Sequence, residues 1–483
     1  MEQLMLELCN FAKNLNMAVN IKFGTDGWRA IIAQEYTVDN VQRIADATAR
    51  WMLTKQMKKV IIGYDCRFGG KLFAETTARV MGSLGIHVYM DYNFVSTPMV
   101  SLGVLKTGSD MGIVITASHN PPSYNGFKLK SAYGGPTIPG DIAAVEAMIA
   151  DEVPNEMQTL QQIEEKQLLT YVDMEQMYFD HANEHFDLPA IRTSGIKMAY
   201  DAMYGAGQRI IPRLLPETVQ LHCEYNPSFM GQAPEPIHKN LSELSGLIRN
   251  DSSILCGLAN DGDADRIGMY DESGNFIDSH RILLLLLYYM VEHKGMTGKV
   301  VGTFSVTEKL QKLAAHYGLP YEETPIGFKH IAQIIIKEEV IVGGEESGGL
   351  SVLGHIPERD GVWNGLLLLE FMVKTGKTLT ELMEDIYAIV GRFDYDRDDL
   401  HIDEMKKQAI IERCKNNPFT QFGAYQVTKL QTLDGFKFHF EDSQWVMIRP
   451  SGTEPVLRIY AQGKDMNEVR DILNAVHETL KSV

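Results

Sequence analysis

Apolar runs that predict buried strands alternate with amphipathic helical patterns along most of this chain, and this alternation limits the folds that it can adopt. The first cycle contains strands at 60–64, 88–90 and 113–115 and helices at 72–84 and 99–105. Strands that alternate with helices predict a parallel or mixed sheet with helices packed on its faces. Because two more such cycles and a shorter last unit follow, we expect an α/β protein with three similar mixed α/β domains and a smaller C-terminal α+β domain.

A length of 483 residues also exceeds what one hydrophobic core usually supports. The predicted domains are residues 1–167, 168–274, 275–393 and 394–483. The acidic stretch 394–404 is interpreted as the link into the last domain, and the apolar spacing of residues 2–16 predicts a short amphipathic helix before the first cycle.

The charge of the chain excludes some partners. Its 45 Lys and Arg residues against 63 Asp and Glu give a formal net charge of -18, which is unfavourable for nonspecific binding to nucleic acid or to anionic membranes. We therefore expect small-molecule partners, and an anionic ligand would need a local cluster of Arg and Lys.

Cysteine usage and the N-terminal residues indicate a cytoplasmic protein. The five cysteines are far apart and contain no C-x-x-C pair, which predicts neither a disulfide framework nor a zinc site. Glu2 and Glu7 stand where a signal peptide would be positively charged, and the longest apolar run, 282–291, is half a membrane span. The oligomeric state is expected to be a monomer or a homodimer.

The stretch Ile113 to Lys130, IVITASHNPPSYNGFKLK, presents a serine on a loop at the end of a strand. His119 follows Ser118 directly, and Asn125-Gly126 predicts a tight turn that would bring Lys128 back toward the serine. A nucleophile, a base and a cation thus lie within eleven residues. An ordinary hairpin with a hydrogen-bonded serine is the alternative.

Three carboxylates at a spacing of two, Asp261, Asp263 and Asp265, can point to one side of an extended segment or converge in a loop. Adjacent carboxylates repel one another unless a cation neutralises them, and ligation by oxygen alone suits Mg²⁺. A calcium EF-hand is the nearest alternative, since Glu272 falls at its twelfth position. Arg266 stands at the sixth position, where an EF-hand needs glycine, and the flanking residues predict strands rather than helices.

Of four further motifs, three are weak when each is taken alone, and the fourth, RPSGTEP, is specific. KFGTDGWRA, residues 22–30, suits a loop that approaches an anion, and GGEESGG, residues 343–349, predicts an exposed polar loop that could bind sugar hydroxyls. RPSGTEP, from residue 449, offers charged and hydroxyl donors for a phosphate. Gly205-Ala206-Gly207 after a strand is an incomplete dinucleotide fingerprint, because Ile210 stands where its third glycine would be.

The motifs KFGTDGWRA, TASHNPPSYNGFK, DGDADR, GGEES and RPSGTEP occur in the order typical of the α-D-phosphohexomutases, the phosphoglucomutase and phosphomannomutase family, which this chain resembles. The resemblance covers nearly the whole chain and implies four domains around a central cleft. It implies that Ser118 carries a phosphoryl group and that Mg²⁺ is bound by an oxygen of that phosphoserine together with Asp261, Asp263 and Asp265. Ala264 stands where many members have glycine.

The resemblance also assigns the remaining site residues. Arg29 and Arg266 would lie near the phosphoserine, and His119 or Lys128 would move the proton of the sugar hydroxyl. Binding of the substrate would fall to Lys329, Glu345, Ser347, Arg449, Ser451, Gly452 and Thr453. The substrate would be a hexose phosphate, and a hexose 1,6-bisphosphate would be the intermediate and activator.

The sugar itself is the least determined feature. Gly327-Phe328-Lys329 and GEES look more like phosphoglucomutases, which favours conversion of glucose 1-phosphate to glucose 6-phosphate. Phosphomannomutase and phosphoglucosamine mutase activities are the alternatives within the family. Outside it, the alternatives are a sugar-phosphate-binding protein without activity and a serine hydrolase, although the latter lacks G-x-S-x-G and an obvious acidic partner.

Overall fold

The computed structural model describes residues 19–24, 26–154, 157–450 and 456–481. The chain forms two compact units, which are described separately below. The first unit comprises the residues up to Ile277 together with Gly349–Gly376, and the second comprises Asp278–Gly348 and the residues from Lys377 onward. The helix predicted for residues 2–16 lies outside the described residues.

A six-stranded sheet forms the first part of the first unit, with the order β1-β5-β4-β2-β3-β6. Its strands are β1 (Trp28–Ile31), β2 (Lys59–Tyr64), β3 (His87–Met90), β4 (Met111–Ile115), β5 (Tyr124–Ser131) and β6 (Leu169–Tyr171). The helices of this part are Val38–Thr54, Gly70–Ser83, Thr97–Thr107, Pro139–Glu146 and Leu160–Glu165. Pairs among β2, β3, β4 and β6 are parallel, whereas β5 runs antiparallel to β4 and β1. The sheet is therefore mixed, and β6 extends it beyond residue 167.

A five-stranded sheet of order β11-β10-β9-β7-β8 forms the second part of this unit. Its strands are β7 (Lys197–Asp201), β8 (Val219–Leu221), β9 (Ile254–Asn260), β10 (Ile267–Tyr270) and β11 (Phe276–Ile277). The helices are Met174–His185, Leu188–Thr193, Ile210–Leu214 and Ser242–Asn250, with short 3₁₀ turns at Ala206–Gln208, Phe229–Gly231 and His238–Asn240. The parallel strands β7, β8 and β9 hold the apolar core, and the antiparallel hairpin β9–β10 presents residues 261–266 at its tip.

The second unit begins with a third α/β sheet. The strands β12 (Lys299–Thr303), β13 (Tyr321–Thr324) and β14 (Val340–Gly344) are parallel, with β12 in the centre. The helices are Ser279–Glu292, Glu308–His316, Phe328–Ile335 and Leu379–Val390. Parallel strands need crossover connections, and the helix that the sequence predicts at 307–317 joins β12 to β13, whereas Phe328–Ile335 joins β13 to β14.

The segment 349–376 packs with the first unit. It contains the short strand β15 (Leu350–Val352) and the apolar helix Gly361–Thr375, which packs against β9 and β10 and the helix Leu188–Thr193. At Gly361 the chain passes so close that an added Cβ would lie 2.2 Å from the carbonyl oxygen of Arg266. The residues just before this helix are therefore held against the tip of the β9–β10 hairpin.

The end of the chain is an antiparallel sheet of order β16-β22-β21-β20-β19 with a separate β17–β18 hairpin. Its strands are β16 (Asp394–His401), β17 (Gln421–Phe422), β18 (Tyr425–Gln426), β19 (Lys429–Gln431), β20 (Phe436–His439), β21 (Trp445–Pro450) and β22 (Val456–Gly463), and its helices are Glu404–Asn416 and Met466–Lys481. The acidic link predicted at 394–404 was wrong, because residues 394–401 are an edge strand paired with all of β22. Charged residues commonly mark an edge strand, since they discourage pairing with other chains.

Three α/β sheets followed by an α+β sheet confirm the predicted fold class. Cys66, Cys223, Cys256 and Cys414 are free thiols. Among the described residues, no helix has the length and apolar character that crossing a membrane requires.

Candidate active site

Ser118 lies in a tight loop after β4 and is only 1% exposed. Its φ of 54° is in the left-handed region, which a residue other than glycine occupies only when its surroundings hold it there. The backbone N–H of Ser118 donates to Thr116 Oγ1 at 2.9 Å, and His119 Nδ1 lies 3.4 Å from Ser118 Oγ. The strained backbone fixes the direction of the serine hydroxyl.

The tight turn predicted at Asn125-Gly126 was wrong, because both residues lie inside β5 and pair with β1. The chain turns earlier, where the Tyr124 N–H bonds to the Pro121 carbonyl at 3.0 Å. Gly126 is needed for close packing instead: a Cβ there would lie 2.4 Å from the Thr116 carbonyl oxygen. The antiparallel pairing of β5 with β4 still returns Lys128 toward the serine, opposite Val114.

Arg67, which the sequence did not identify, donates hydrogen bonds to the backbone of the serine loop. One terminal nitrogen, Nη2, donates to the carbonyl oxygens of Ser118 at 2.5 Å and Asn120 at 2.6 Å. The other, Nη1, donates to those of Pro121 at 2.8 Å and Tyr124 at 3.1 Å. A planar guanidinium can serve several carbonyl groups in one fixed geometry, and here it defines the path of the loop.

A buried carboxylate keeps Arg67 in place. Asp65 Oδ2 lies 3.3 Å from Arg67 Nε and also accepts from Thr116 Oγ1 at 2.6 Å. Burial raises the pKa of Asp65 to about 6, although Arg67 and the hydroxyl of Thr116 favour its charged form. Asp65, Thr116 and Arg67 thus form a connected network around the backbone of Ser118.

The three aspartates form the tip of the β9–β10 hairpin and are fully buried. One carboxylate oxygen of each of Asp261, Asp263 and Asp265 lies within 4.8 Å of those of the others. The flanking elements are strands, which is the opposite of an EF-hand. Ala264 has a φ of 57°, so the loop keeps the left-handed turn that glycine would favour at a cost of about 1 kcal/mol.

The serine loop and the aspartate loop are in direct contact. Ser118 Oγ donates to Asp261 Oδ2 at 2.7 Å, and a Cβ on Gly262 would lie 2.5 Å from the Ser118 carbonyl oxygen. Gly205-Ala206-Gly207 supports the aspartate loop from the other side, because the Ala206 N–H donates to the Gly262 carbonyl at 2.9 Å. These glycines therefore serve close packing, and a dinucleotide site is not required to explain them.

Cations surround the three aspartates. Lys128 is fully buried, and its Nζ lies 2.8 Å from Asp263 Oδ2, 3.3 Å from Asp265 Oδ2 and 2.9 Å from Asp26 Oδ2. Arg359, which comes from the segment 349–376, pairs with Asp265 at 2.7 Å and also with Asp26. Lys128 therefore pairs with three carboxylates of the site, and Arg359 pairs with two of the same three.

These contacts shift the pKa values in opposite directions. For Lys128, the neighbouring carboxylates outweigh burial and raise the pKa, whereas for Asp263 the nearby Lys128 and Thr97 outweigh burial and lower it. Thr97 Oγ1 donates to Asp263 Oδ2 at 2.5 Å. Burial and the charges of Asp263 and Asp265 raise the pKa of Asp261 well above its usual value. Of the three aspartates, Asp261 is therefore the one whose charged form its surroundings disfavour.

This donor set fits Mg²⁺. Within the described residues, Asp263 Oδ1 and Asp265 Oδ1 are buried without a hydrogen-bond partner. A buried carboxylate oxygen without a partner is costly, and a divalent cation bound by oxygen atoms would satisfy both oxygens. Asp261, Asp263, Asp265 and the serine oxygen are the residues that could hold it.

Two more cations, Arg29 and Arg266, lie around the Ser118-His119 pair. Arg29 Nη1 donates to Asn120 Oδ1 at 2.7 Å, the backbone N–H of Arg266 donates to Asp261 Oδ1 at 3.1 Å, and its guanidinium Nε lies 4.0 Å from Asp261 Oδ2. Burial first, and then Arg266, Arg29, Lys128 and Arg67, lower the pKa of His119 well below 6.5. His119 is therefore neutral at pH 7. The cations around it would favour the binding of a doubly charged anion at this place.

In the second unit, the GGEES loop is less exposed than its sequence predicts. Glu345 is only 6% exposed, and a bond from the Gly348 N–H to the Glu345 carbonyl at 3.3 Å closes the turn, with Gly348 at a φ of 90°. The side chain of Glu346 accepts from Ser305, and its carbonyl accepts from Ser279. Ser347 is half-buried. The loop is thus anchored to two neighbouring elements of its own unit.

Asp434 links Arg449, a predicted substrate residue, to the loop that precedes the helix containing Lys329. It accepts from Arg449 Nε at 3.1 Å and from the Ile326 N–H at 2.8 Å, just before the helix that contains Lys329. Lys329 is half-buried at the first turn of this helix. Ser451, Gly452 and Thr453 lie outside the described residues, so their predicted role stays a prediction.

Family models of the phosphoglucomutase/phosphomannomutase proteins match the chain in order. The alpha/beta/alpha domains I, II and III match residues 20–156, 176–274 and 278–390, and the C-terminal domain matches residues 403–479. These matches agree in kind with the three α/β sheets and the final α+β sheet. The exact domain boundaries predicted from the sequence stay a prediction.

The chain is similar over nearly its whole length to curated proteins and to a solved structure. It is 30% identical to a probable phosphoglucosamine mutase of Methanosphaera stadtmanae over 95% of this chain and 98% of that protein. It is 28% identical to a phosphoglucomutase/phosphomannomutase of Thermococcus kodakarensis over 93% and 96%. A structure assigned provisionally as a phosphomannomutase of Thermus thermophilus has a TM-score of 0.86 and 32% identity, over 96% of this chain and 100% of that one.

Proposed function

Because this chain belongs to the phosphoglucomutase/phosphomannomutase family, we propose that it moves a phosphoryl group between the 1- and 6-positions of a hexose phosphate through a phosphorylated Ser118. The observation that supports this most is the contact of Ser118 Oγ with Asp261 at 2.7 Å, inside a buried group of carboxylates and cations. A serine aimed at potential metal ligands suits phosphoryl transfer, which depends chiefly on positioning and on charge stabilisation.

In this proposal the phosphoryl group of Ser118 passes to the free hydroxyl of the bound hexose phosphate, which loses its proton, and the oxygen of Ser118 that the phosphoryl group leaves gains one. The resulting bisphosphate turns over, and its other phosphoryl group returns to Ser118. Mg²⁺ bound by Asp261, Asp263, Asp265 and the phosphoserine would stabilise the charge on the transferred group. Arg29 and Arg266 add fixed positive charge next to the serine, and Arg67 keeps the loop from moving during transfer.

His119 is the better candidate for the residue that moves the proton. Lys128 is surrounded by carboxylates that raise its pKa, so it stays protonated at pH 7 and acts as a fixed cation. His119 is neutral and its Nδ1 lies 3.4 Å from Ser118 Oγ, so it can accept a proton there. A phosphoryl dianion on Ser118 favours the protonated form of His119, which can then return the proton to Ser118 Oγ as the phosphoryl group leaves the serine.

Binding of the sugar phosphate is proposed for the second unit. Glu345 and Ser347 would bind ring hydroxyls, and Lys329 and Arg449 would bind the phosphate that is not reacting, together with Ser451, Gly452 and Thr453. The link of Asp434 to both Arg449 and Ile326 supports a common site, because it ties the strand that ends at the RPSGTEP motif to the loop before Lys329.

The preferred sugar is proposed to be an amino sugar, glucosamine 1-phosphate. The similarity to a probable phosphoglucosamine mutase favours this alternative over the glucose 1-phosphate that the sequence motifs favour. Two adjacent carboxylates in the sugar loop, Glu345 and Glu346, would also suit an ammonium group on the ring. A tenfold preference needs only about 1.4 kcal/mol of transition-state binding, which one such contact can supply.

The experiment compares kcat/KM for the 1-phosphates of glucosamine, glucose and mannose under the same Mg²⁺ concentration. The amino sugar should be best by about tenfold or more. Equal or better turnover of glucose 1-phosphate would return the protein to the phosphoglucomutase assignment, and equal or better turnover of mannose 1-phosphate would indicate a phosphomannomutase. No turnover of any of the three would contradict the proposed activity and favour a protein that only binds sugar phosphates.

Mass spectrometry tests the phosphoserine step separately. After incubation with a hexose 1,6-bisphosphate and Mg²⁺, Ser118 should gain a phosphoryl group, and Ser118→Ala should lose both the modification and nearly all activity. Ser123→Ala changes an exposed serine five residues along the same loop and should behave as the wild type. An unmodified Ser118 in an active protein would exclude this mechanism. Labelling of Ser118 by acyl-serine reagents would instead support the hydrolase alternative.

A further inference from the structure

A cluster of metal-binding side chains lies on the helix Met174–His185, outside the site described above. His185 and Glu184 follow His181 by four and three residues, the spacings at which helical side chains are neighbours. One potential ligand atom from each of the three side chains lies within 4.8 Å of the others. Two histidines at this spacing, together with a carboxylate, form a common protein ligand set for transition metals.

A chain of hydrogen bonds fixes the protonation of His181. Asp360 Oδ2 lies 2.8 Å from His355 Nε2, and a carboxylate can only accept, so the proton of His355 is on Nε2. The unprotonated Nδ1 of His355 then accepts from His181 Nε2 at 3.3 Å. This leaves a lone pair on His181 Nδ1, which is buried and has no partner within the described residues.

A hydrogen bond also fixes the protonation of the second histidine, His185. His185 Nδ1 lies 2.8 Å from the carbonyl oxygen of His181 and must donate to it, which leaves a lone pair on His185 Nε2. In known metal sites, the far nitrogen of each ligating histidine donates to a carbonyl or to a carboxylate network in this manner.

We propose that His181, Glu184 and His185 bind a divalent transition-metal ion of the zinc type, with water completing its coordination. Imidazole nitrogen suits Zn²⁺, Ni²⁺ and Cu²⁺, whereas Mg²⁺ prefers oxygen, so this site and the aspartate loop select different metals. Glu184 and His185 are exposed, which leaves the metal accessible to solvent. The ion pair of Glu184 with Lys106 is long, at 4.0 Å, and an exposed pair of this kind competes only weakly.

The metal would also stabilise the segment 349–376. Its ligand His181 bonds to His355, and His355 stacks on Trp363 with ring centroids 3.7 Å apart. Asp360 caps the helix that contains Trp363 and also accepts from Tyr178 on the metal-binding helix at 2.7 Å. Arg359, which pairs with Asp26 and Asp265 in the active site, directly precedes Asp360. Bound metal therefore restrains the backbone that positions Arg359.

The test titrates Zn²⁺ into the full-length protein in excess Mg²⁺, with equilibrium dialysis to measure the metal retained. The wild type should retain about one equivalent of Zn²⁺ per chain, and His185→Gln and Glu184→Gln should each weaken binding by at least about tenfold. His401→Gln removes an exposed histidine from the edge strand β16 and should bind as the wild type. Zn²⁺ should also raise the Tm of the wild type and of His401→Gln but not that of His185→Gln.

Asp263→Asn tests whether zinc binds at the proposed histidine site rather than at the aspartate loop. Zn²⁺ binding should persist in this variant, because none of the three proposed ligands is altered. The proposal is overturned if Asp263→Asn loses the zinc, if His185→Gln retains it with wild-type affinity, or if the wild type binds none in the presence of Mg²⁺.

Discussion

Arg67→Lys is the most informative single change at the candidate active site. It keeps the positive charge but removes the planar guanidinium that donates to the serine loop. The guanidinium makes four bonds to loop carbonyl groups, whereas a lysine ammonium has only three N–H donors and a different geometry. A hydrogen bond to a charged group is worth about 1.5–3 kcal/mol, and a buried carbonyl left without a partner costs about 1–3 kcal/mol. We therefore expect Arg67→Lys to lower the free energy of unfolding by about 2–4 kcal/mol.

The effect on catalysis should exceed what the loss of stability explains. Without the guanidinium of Arg67, the left-handed backbone at Ser118 can relax. A displacement of the serine by about 1 Å costs on the order of 100-fold in rate. Substrate binding should change little, because Arg67 is buried beneath the serine loop, where a sugar phosphate does not reach it. The prediction is thus a large fall in kcat with a small change in KM.

Arg43→Lys is the matched control. Arg43 is also buried and donates to the carbonyl oxygens of Ala150 at 2.7 Å and Val19 at 3.1 Å, but it does not contact the serine loop. Denaturant unfolding should show a comparable loss of stability for both variants, and steady-state kinetics on the folded enzyme should show lost kcat for Arg67→Lys alone. Equal kcat values for the two variants would refute the positioning role of Arg67.

Three further changes test other parts of the structure. Asp263→Asn removes a potential metal ligand and should lower Mg²⁺-dependent turnover by roughly 100-fold while sugar-phosphate affinity changes little; activity that survives chelation of Mg²⁺ would contradict this. Arg449→Ala should raise KM by about 10- to 100-fold, the equivalent of one charged hydrogen bond, and an unchanged KM would remove this residue from the site. The hydrogen bond to Asp201 raises the pKa of His222, so its contribution to stability is present below pH 6.5 and is lost as the pH rises through the raised value. The stability advantage of the wild type over His222→Asn, in which asparagine tolerates the left-handed φ of 48°, should therefore shrink as the pH rises above 6.5, and a constant difference would contradict the assignment.

Local patterns in the sequence predicted the elements and the residues that one short stretch brings together. The apolar runs predicted the strands of the α/β sheets, and the spacing of Asp261, Asp263 and Asp265 predicted their convergence, because both depend only on neighbours in the chain. The turn at Asn125-Gly126 was mispredicted since close packing, which a pattern of turn residues does not reveal, determined the need for Gly126.

Residues that act across long stretches of chain left no such signal. Arg359 meets Asp26 from 333 positions away, and nothing around either residue indicates the other. Thr97 looks like an ordinary helix start, and its bond to Asp263 exists only because two sheets pack together. The sequence contains part of the signal for Arg67, because an Asp-x-Arg motif directly after a strand is compatible with the ion pair that Arg67 forms with Asp65. Its carbonyl partners, however, lie more than fifty positions away.

The return of residues 349–376 to the first unit has a consequence for the order in which the protein can be made. A nascent chain that has left the ribosome only as far as Ile277 contains Ser118 and all three aspartates, but it lacks Arg359 and the partner of Lys130, Glu358. In that state Asp26 and Asp265 would face one another with fewer cations than in the finished protein. The candidate active site is therefore expected to be completed late in translation, after the ribosome has already produced most of the second unit's α/β sheet. Truncated messages that encode the serine and the metal loop but stop before residue 349 should yield chains that cannot complete this site.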